Sequence, residues 1–143
     1  MSHIRSSPLF AMTANLHIPE RWMTEDEPFS IRLGRNEIQI FFDDIAESAE
    51  FSRPEDLASI AGGFGAEHWY GEAVEEYSGD CALGRMGTVV FRSDECPRIQ
   101  VWLLCGSKRL VYVIHVCRDV PTAEEIVEAE QIVQTFSLSE HQA

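Results

Sequence analysis

The chain has 143 residues, 45% of them apolar, with 24 Asp and Glu against 11 Lys and Arg, a net charge of −13. This length and apolar share describe a single domain over residues 1–143, with a core spanning about 9–137, and exclude wholesale disorder. So acidic a surface repels phosphate backbones, so neither nucleic acid nor an anionic membrane is an expected partner, whereas a basic protein is.

Residues 9–18 alternate loosely, with Phe10, Met12, Leu16 and Ile18 on one parity, which predicts a half-buried strand closed by Pro19. Pro19-Glu20-Arg21-Trp22 turns the chain, and Trp22 is expected to plug one end of the core. Glu25-Asp26-Glu27-Pro28 reads as an acidic loop. A hairpin follows, with strands at 29–33 and 37–42 around Gly34-Arg35-Asn36, and Asp43 and Asp44 close it. Residues 45–51 read as an irregular acidic connection. Ser52, Pro54 and Glu55 are helix-start signals, and Leu57, Ile60, Ala61 and Phe64 give that helix its apolar face. Gly62, Gly63 and Gly65 each weaken its end by about 1 kcal/mol relative to alanine, so fraying is expected there. Residues 68–71 suit a loop, 74–77 a short strand, Gly79-Asp80 a turn and 81–92 a strand.

The clearest signal runs from Ile99 to Cys117, where two β-branched and aromatic runs flank Gly106-Ser107-Lys108-Arg109. A turn centred on Ser107 and Lys108 sets Cys105 opposite Leu110, Leu103 opposite Tyr112, Val101 opposite Ile114 and Ile99 opposite Val116. One face then carries those eight residues as core. The other carries Gln100, Trp102, Leu104, Val111, Val113, His115 and Cys117, with Gln100 opposite His115 as its polar pair. Both faces are apolar, so both need cover from helices, a second chain or a client. With the 81–92 strand this makes an antiparallel meander. A last helix opens at Thr122, an N-cap with Glu125 three residues on, and buries a stripe of Ala123, Ile126, Val127, Ala129, Val133 and Phe136. Residues 137–143 are polar and expected to be loose. The sum is an α+β fold, a twisted antiparallel sheet flanked by two main helices.

Candidate chemistry is sparse. Asp43-Asp44 suits a solvated strand end better than a carboxylate pair, because adjacent strand residues point to opposite faces. Glu67-His68 with Glu72 or Glu75 lacks a second histidine, and Gly62-Gly63-Phe64-Gly65 lacks a following Gly-Lys-Ser/Thr, so no metal or phosphate site is expected. His115 and Cys117 share a face, but next-but-one strand positions lie about 7 Å apart, too far for a direct hydrogen bond without help. No catalytic residue, metal or cofactor is therefore expected. Four cysteines without Cys-x-x-Cys spacing suit free thiols in a reducing cytosol. No signal peptide or bilayer-length apolar run is seen in the sequence, so the expected setting is cytoplasmic.

The residues Leu16-His17-Ile18-Pro19-Glu20-Arg21-Trp22, the hairpin at 99–117 and the helix from Thr122 to Phe136 resemble, in pattern and element order, the PsbP-like group of α/β/α sandwiches. That group includes the extrinsic photosystem subunit, the Ran nucleotide-release factor, DcrB-type bacterial proteins and the Eag chaperones of type VI secretion effectors. The chain differs from the lipoprotein members and the photosystem subunit in lacking an export or targeting segment. The resemblance implies a non-catalytic binding role, with a sheet face that cradles apolar helices of a client. On this reading Trp102, Leu104, Val111, Val113, Gln100 and His115 form the partner-binding face of an adaptor or effector chaperone, or of a homodimer. Two rivals stand beside it: an immunity-type inhibitor that holds a basic toxin by its acidic surface, and a small-ligand protein or enzyme using His115 and Cys117 beside Gln100.

Overall fold

A computed structural model of the chain describes residues 2–9, 12–26, 29–44, 54–106 and 109–140. In chain order the elements are β1 (Ser2–Leu9), β2 (Met12–Pro19), β3 (Met23–Asp26), β4 (Phe29–Leu33), β5 (Asn36–Asp44), α1 (Pro54–Glu67), β6 (Glu72–Asp80), β7 (Arg85–Arg92), β8 (Arg98–Cys105), β9 (Arg109–Cys117), α2 (Ala123–Gln134) and β10 (Ser137–Glu140). Seven strands form one antiparallel sheet in the order β3-β4-β5-β9-β8-β7-β6, and β1, β2 and β10 form a second, with β2 central. The class is α+β.

The β8–β9 hairpin sits near the middle of the large sheet with the register its side-chain alternation demands: Cys105 faces Leu110, Val101 faces Ile114 and Gln100 faces His115. Its turn centre, Ser107 and Lys108, lies outside the described residues, as do Glu27, Pro28, Ser52 and the 45–51 connection. Each face of the hairpin feeds a separate core. Leu57 and Ala61 of α1 pack with Val89, Phe91, Ile99, Val101, Leu103, Cys105, Leu110 and Ile114. Ala129, Ile132 and Val133 of α2, with Phe136 beyond it, pack on Trp102, Leu104, Val111 and Val113 from the other side, joined by Ile18, Trp22, Ile31, Ile38 and Ile40. Intramolecular helices thus provide the cover both faces required.

Several elements differ from the sequence expectation. The amino-terminal region is two strands, with Ser2 opposite Pro19, and Glu25 and Asp26 belong to β3 rather than a loop. Backbone pairing needs no apolar side chain, so alternation underestimates such strands. β6 runs on through Gly79 and Asp80, the turn falls at 81–84, and β7 begins only at Arg85. The 137–140 tail pairs with β2. The stripe α2 buries is Glu125, Ala129, Ile132 and Val133, while Val127 is 55% exposed. The helix is therefore rotated from its most apolar phase, and a carboxylate faces inward.

The glycines of α1 also differ from expectation. The helix continues through Gly62, Gly63 and Gly65 to Glu67. A methyl group on Gly65 would overlap the Phe91 ring, and one on Gly87 would overlap the backbone at Leu57 and Ala58, whereas nothing lies within 4 Å of one on Gly63. Bare backbone at Gly65 and Gly87 lets α1 lie close on the sheet. Gly87→Ala should therefore lower stability by about 1–3 kcal/mol through overpacking. Gly63→Ala should raise it by about 0.5–1 kcal/mol through helix propensity. Urea unfolding of the two variants beside the parent checks both signs.

Candidate functional site

The six residues expected to face a partner are all core. Trp102 and Leu104 are fully buried, and Val111, Val113, Gln100 and His115 are at most 2% exposed. The face they share is covered by α2 and by Ile18 and Trp22, so they are not presented to a client.

A polar seam runs beneath α2 on this face. Glu130 accepts from the Trp102 indole at 3.1 Å and from the Tyr77 hydroxyl at 2.9 Å. Gln100 donates to Tyr77 and Thr88 and accepts from Arg98, so its partner is not its cross-strand neighbour His115. His115 instead meets Glu125 of α2, with Nε2 2.9 Å from Oε2. Asn36, at the start of β5, donates Nδ2 to both Glu125 oxygens at 2.9 and 3.2 Å, and its own Oδ1 accepts from the Asp119 amide. Cys117 completes the group: its Sγ lies 3.4 Å from His115 Nε2 and 3.9 Å from Glu125 Oε2. Side chains leaning together close the gap that strand rise alone leaves open. His115, Cys117 and Glu125 are all buried, and their ligand atoms lie within 4.8 Å of one another.

The electrostatics limit what this trio can do as protein alone. Burial pushes the Cys117 thiol up to about 12, with the Glu125 carboxylate acting the same way and Arg98 opposing. Burial also lowers the His115 imidazole pKa against the pull of Glu125. A thiol held protonated is a poor nucleophile, so proximity to His115 alone does not activate Cys117.

A second locus lies where α1 ends. The Tyr70 amide donates to Gly65 O at 3.0 Å and the Trp69 amide to Ala66 O at 3.3 Å, the paired bonds of a Schellman cap. The residue in the left-handed position of such a cap is usually glycine, because a Cβ there is strained. Here it is Trp69, with φ of 59°, and its side chain is 91% exposed. Its neighbours are anchored: His68 stacks on Phe64 at 4.1 Å between ring centroids, and Tyr70 packs on Phe64 and Phe91. Three residues on, β6 begins. It pairs only with β7 among the described residues, has a register shift between Ala73 and Glu75, and exposes Glu72, Glu75, Glu76 and Asp80.

The remaining candidates resolve simply. Glu67 and His68 form the helix end just described. Asp43 and Asp44 close β5, in register with Leu110 and Arg109. A pocket of about 320 Å³ lies at the β4–β5 turn, lined by Arg32, Gly34, Arg35, Asn36, Glu37 and Arg118. Arg35 pairs with Asp119, and Arg118 with Glu37. The trio was missed because Glu125 read as the capping-box partner of Thr122, and Trp69 because a capped helix end looks like any loop. The sequence signals available were the four-residue spacing of Glu125 from Ala129 in the apolar stripe, and a tryptophan just past a helix rich in glycine. No protein-family model matches the chain, and no curated protein sequence matches it significantly.

Two outcomes follow. Glu125→Ala removes the shared acceptor of Asn36 and His115 and should cost about 3 kcal/mol, read as a lower urea midpoint at unchanged slope. In the folded protein Cys117 should be alkylated far more slowly than the half-buried Cys81 and Cys96, with all four reacting alike in denaturant. Mass spectrometry of labelled peptides measures this, and rapid labelling of Cys117 would revive the nucleophile.

Proposed function

We propose that this chain is a non-catalytic protein-interaction module that docks a basic segment of another protein on Trp69 and the acidic edge strand β6. The observation that carries the reading is Trp69 itself. Folding is better served at that position by glycine, since a non-glycine residue there costs about 1 kcal/mol or more. A fully solvated indole contributes little to the core. Exposed tryptophans flanked by rigid neighbours are the kind of anchor that dominates interfaces. β6 adds a hydrogen-bonding edge with no partner strand among the described residues and four exposed carboxylates, which suit an extended basic strand. Two copies paired β6 to β6 would bring carboxylate against carboxylate, so a second copy suits this edge poorly.

Of the roles expected from the sequence, this supports an acidic inhibitor or adaptor. A chaperone cradling apolar helices would need the Trp102 face, which α2 occupies. A helix on each face of an antiparallel sheet accords with the PsbP-like α/β/α arrangement, which we keep as part of the proposal. Four free cysteines accord with a reducing, cytoplasmic setting.

The test is capture from the source lysate with the parent chain, with Trp69→Gly, and with Glu75→Lys combined with Glu76→Lys. A basic partner should be held at low salt and released at high salt, because exposed charge pairs are screened. Both variants should lose it. Trp69→Gly should meanwhile keep or raise thermal stability, by up to about 1 kcal/mol. A partner retained equally by both variants would remove β6 and Trp69 from the interface.

A further inference from the structure

We propose that His115, Cys117 and Glu125 form a binding site for one divalent zinc-type ion beneath α2. The donor atoms are an imidazole nitrogen, a thiol sulfur and a carboxylate oxygen, the mixed set that zinc accepts. Their separations of 2.9, 3.4 and 3.9 Å define a triangle whose centre lies about 2 Å from each corner. Zinc–nitrogen and zinc–oxygen bonds are about 2.0–2.2 Å and zinc–sulfur bonds about 2.3 Å. An ion slightly out of the triangle's plane therefore reaches all three without moving an element of the fold.

The surroundings add what an isolated trio would lack. Asn36 holds both oxygens of Glu125 and is itself fixed by the Asp119 amide, the outer-shell bonding that orients a ligating carboxylate. Trp22 lies against His115 with ring centroids 6.0 Å apart, and its indole N–H, buried within a residue 3% exposed, has no partner among the described residues. Arg98, cross-strand partner of Cys117, likewise has a buried, unpartnered Nε. A water held as fourth ligand would give such donors an acceptor. Asn36, which holds Glu125, also lines the pocket at the β4–β5 turn. On binding, the His115 proton directed at Glu125 moves from Nε2 to Nδ1, which frees the Nε2 lone pair for the ion, and the Cys117 thiol releases its proton to the buffer. The thiolate and carboxylate then neutralise the two charges of the ion.

The experiment uses the full chain, stripped with a chelator and confirmed folded by circular dichroism. Cobalt(II), a coloured stand-in for zinc, should give one ion per chain with an intense near-ultraviolet thiolate charge-transfer band and visible bands of tetrahedral strength. Zinc should displace it stoichiometrically and raise the melting temperature. Cys117→Ser should abolish the charge-transfer band, and Asn36→Ala should weaken zinc binding about ten- to hundredfold. A folded parent chain that gives no thiolate band overturns the proposal. So does zinc affinity unchanged in Cys117→Ser, since the ion then sits elsewhere. The parent spectrum decides the matter even where a variant fails to fold.

Discussion

A carboxylate buried under a helix is the constraint from which much of this structure follows. Glu125 is 5% exposed, and an unpartnered charge at that depth would cost several kcal/mol. It is satisfied by two bonds from Asn36, by His115, and by its place in the first turn of α2, where the helix dipole favours an anion. Those partners come from β5 and β9, adjacent strands at the middle of the sheet. Helix phase, helix position and strand neighbours are thereby fixed by one group. Thr122 contributes by accepting from the Glu125 amide, which pins the backbone from which the carboxylate projects.

The rest of α2 repeats the arrangement at its other end. Glu130 joins Trp102 of β8 to Tyr77 of β6, and the apolar residues Ala129, Ile132, Val133 and Phe136 fill the space with Met86 and Leu104. Apolar packing provides most of the attraction, since each fully buried large side chain is worth about 1.5–3 kcal/mol. Polar bonds add little net energy, but a shifted helix would leave both carboxylates unpaired, so they select one seating. α1, by contrast, is seated by shape, through the bare backbone at Gly65 and Gly87. The two faces of the same hairpin thus use different means to place a helix.

What was legible in the sequence divides along the same line. The β8–β9 register was readable because period-two alternation and a short turn leave one solution, and the Thr122 cap because capping is local. Side-chain parity, however, says which residues share a face and not what covers it. Trp102, Leu104, Val111 and Val113 look the same under a helix as on a docking surface. The phase of α2 was obscured because Glu125 behaves as a core residue only in the company of Asn36, 89 positions away. β10 was obscured because its pairing with β2 spans nearly the whole chain. Trp69 could be placed near a helix end, but its strain depends on the backbone geometry of the cap, which no local residue pattern specifies.

Trp69 and the trio at Glu125 are both departures from what folding alone would choose, of opposite kinds. One puts an apolar ring in water on a strained backbone. The other puts two ionisable groups and a thiol in the dry interior. They stand on different parts of the sheet, since β8 and β7 separate the His115 strand from β6. α2 nevertheless touches both regions, holding Glu125 over β9 and reaching β6 through the Glu130–Tyr77 bond. Burial, with the Glu130 carboxylate beside it, pushes the Tyr77 hydroxyl up to about 12, and the bond ties the edge strand to α2. The edge strand is therefore held through α2 as well as through its pairing with β7. On the proposed docking role, an extended partner would add to a strand already paired and tethered, and the helix that tethers it is the one seated by the buried carboxylate.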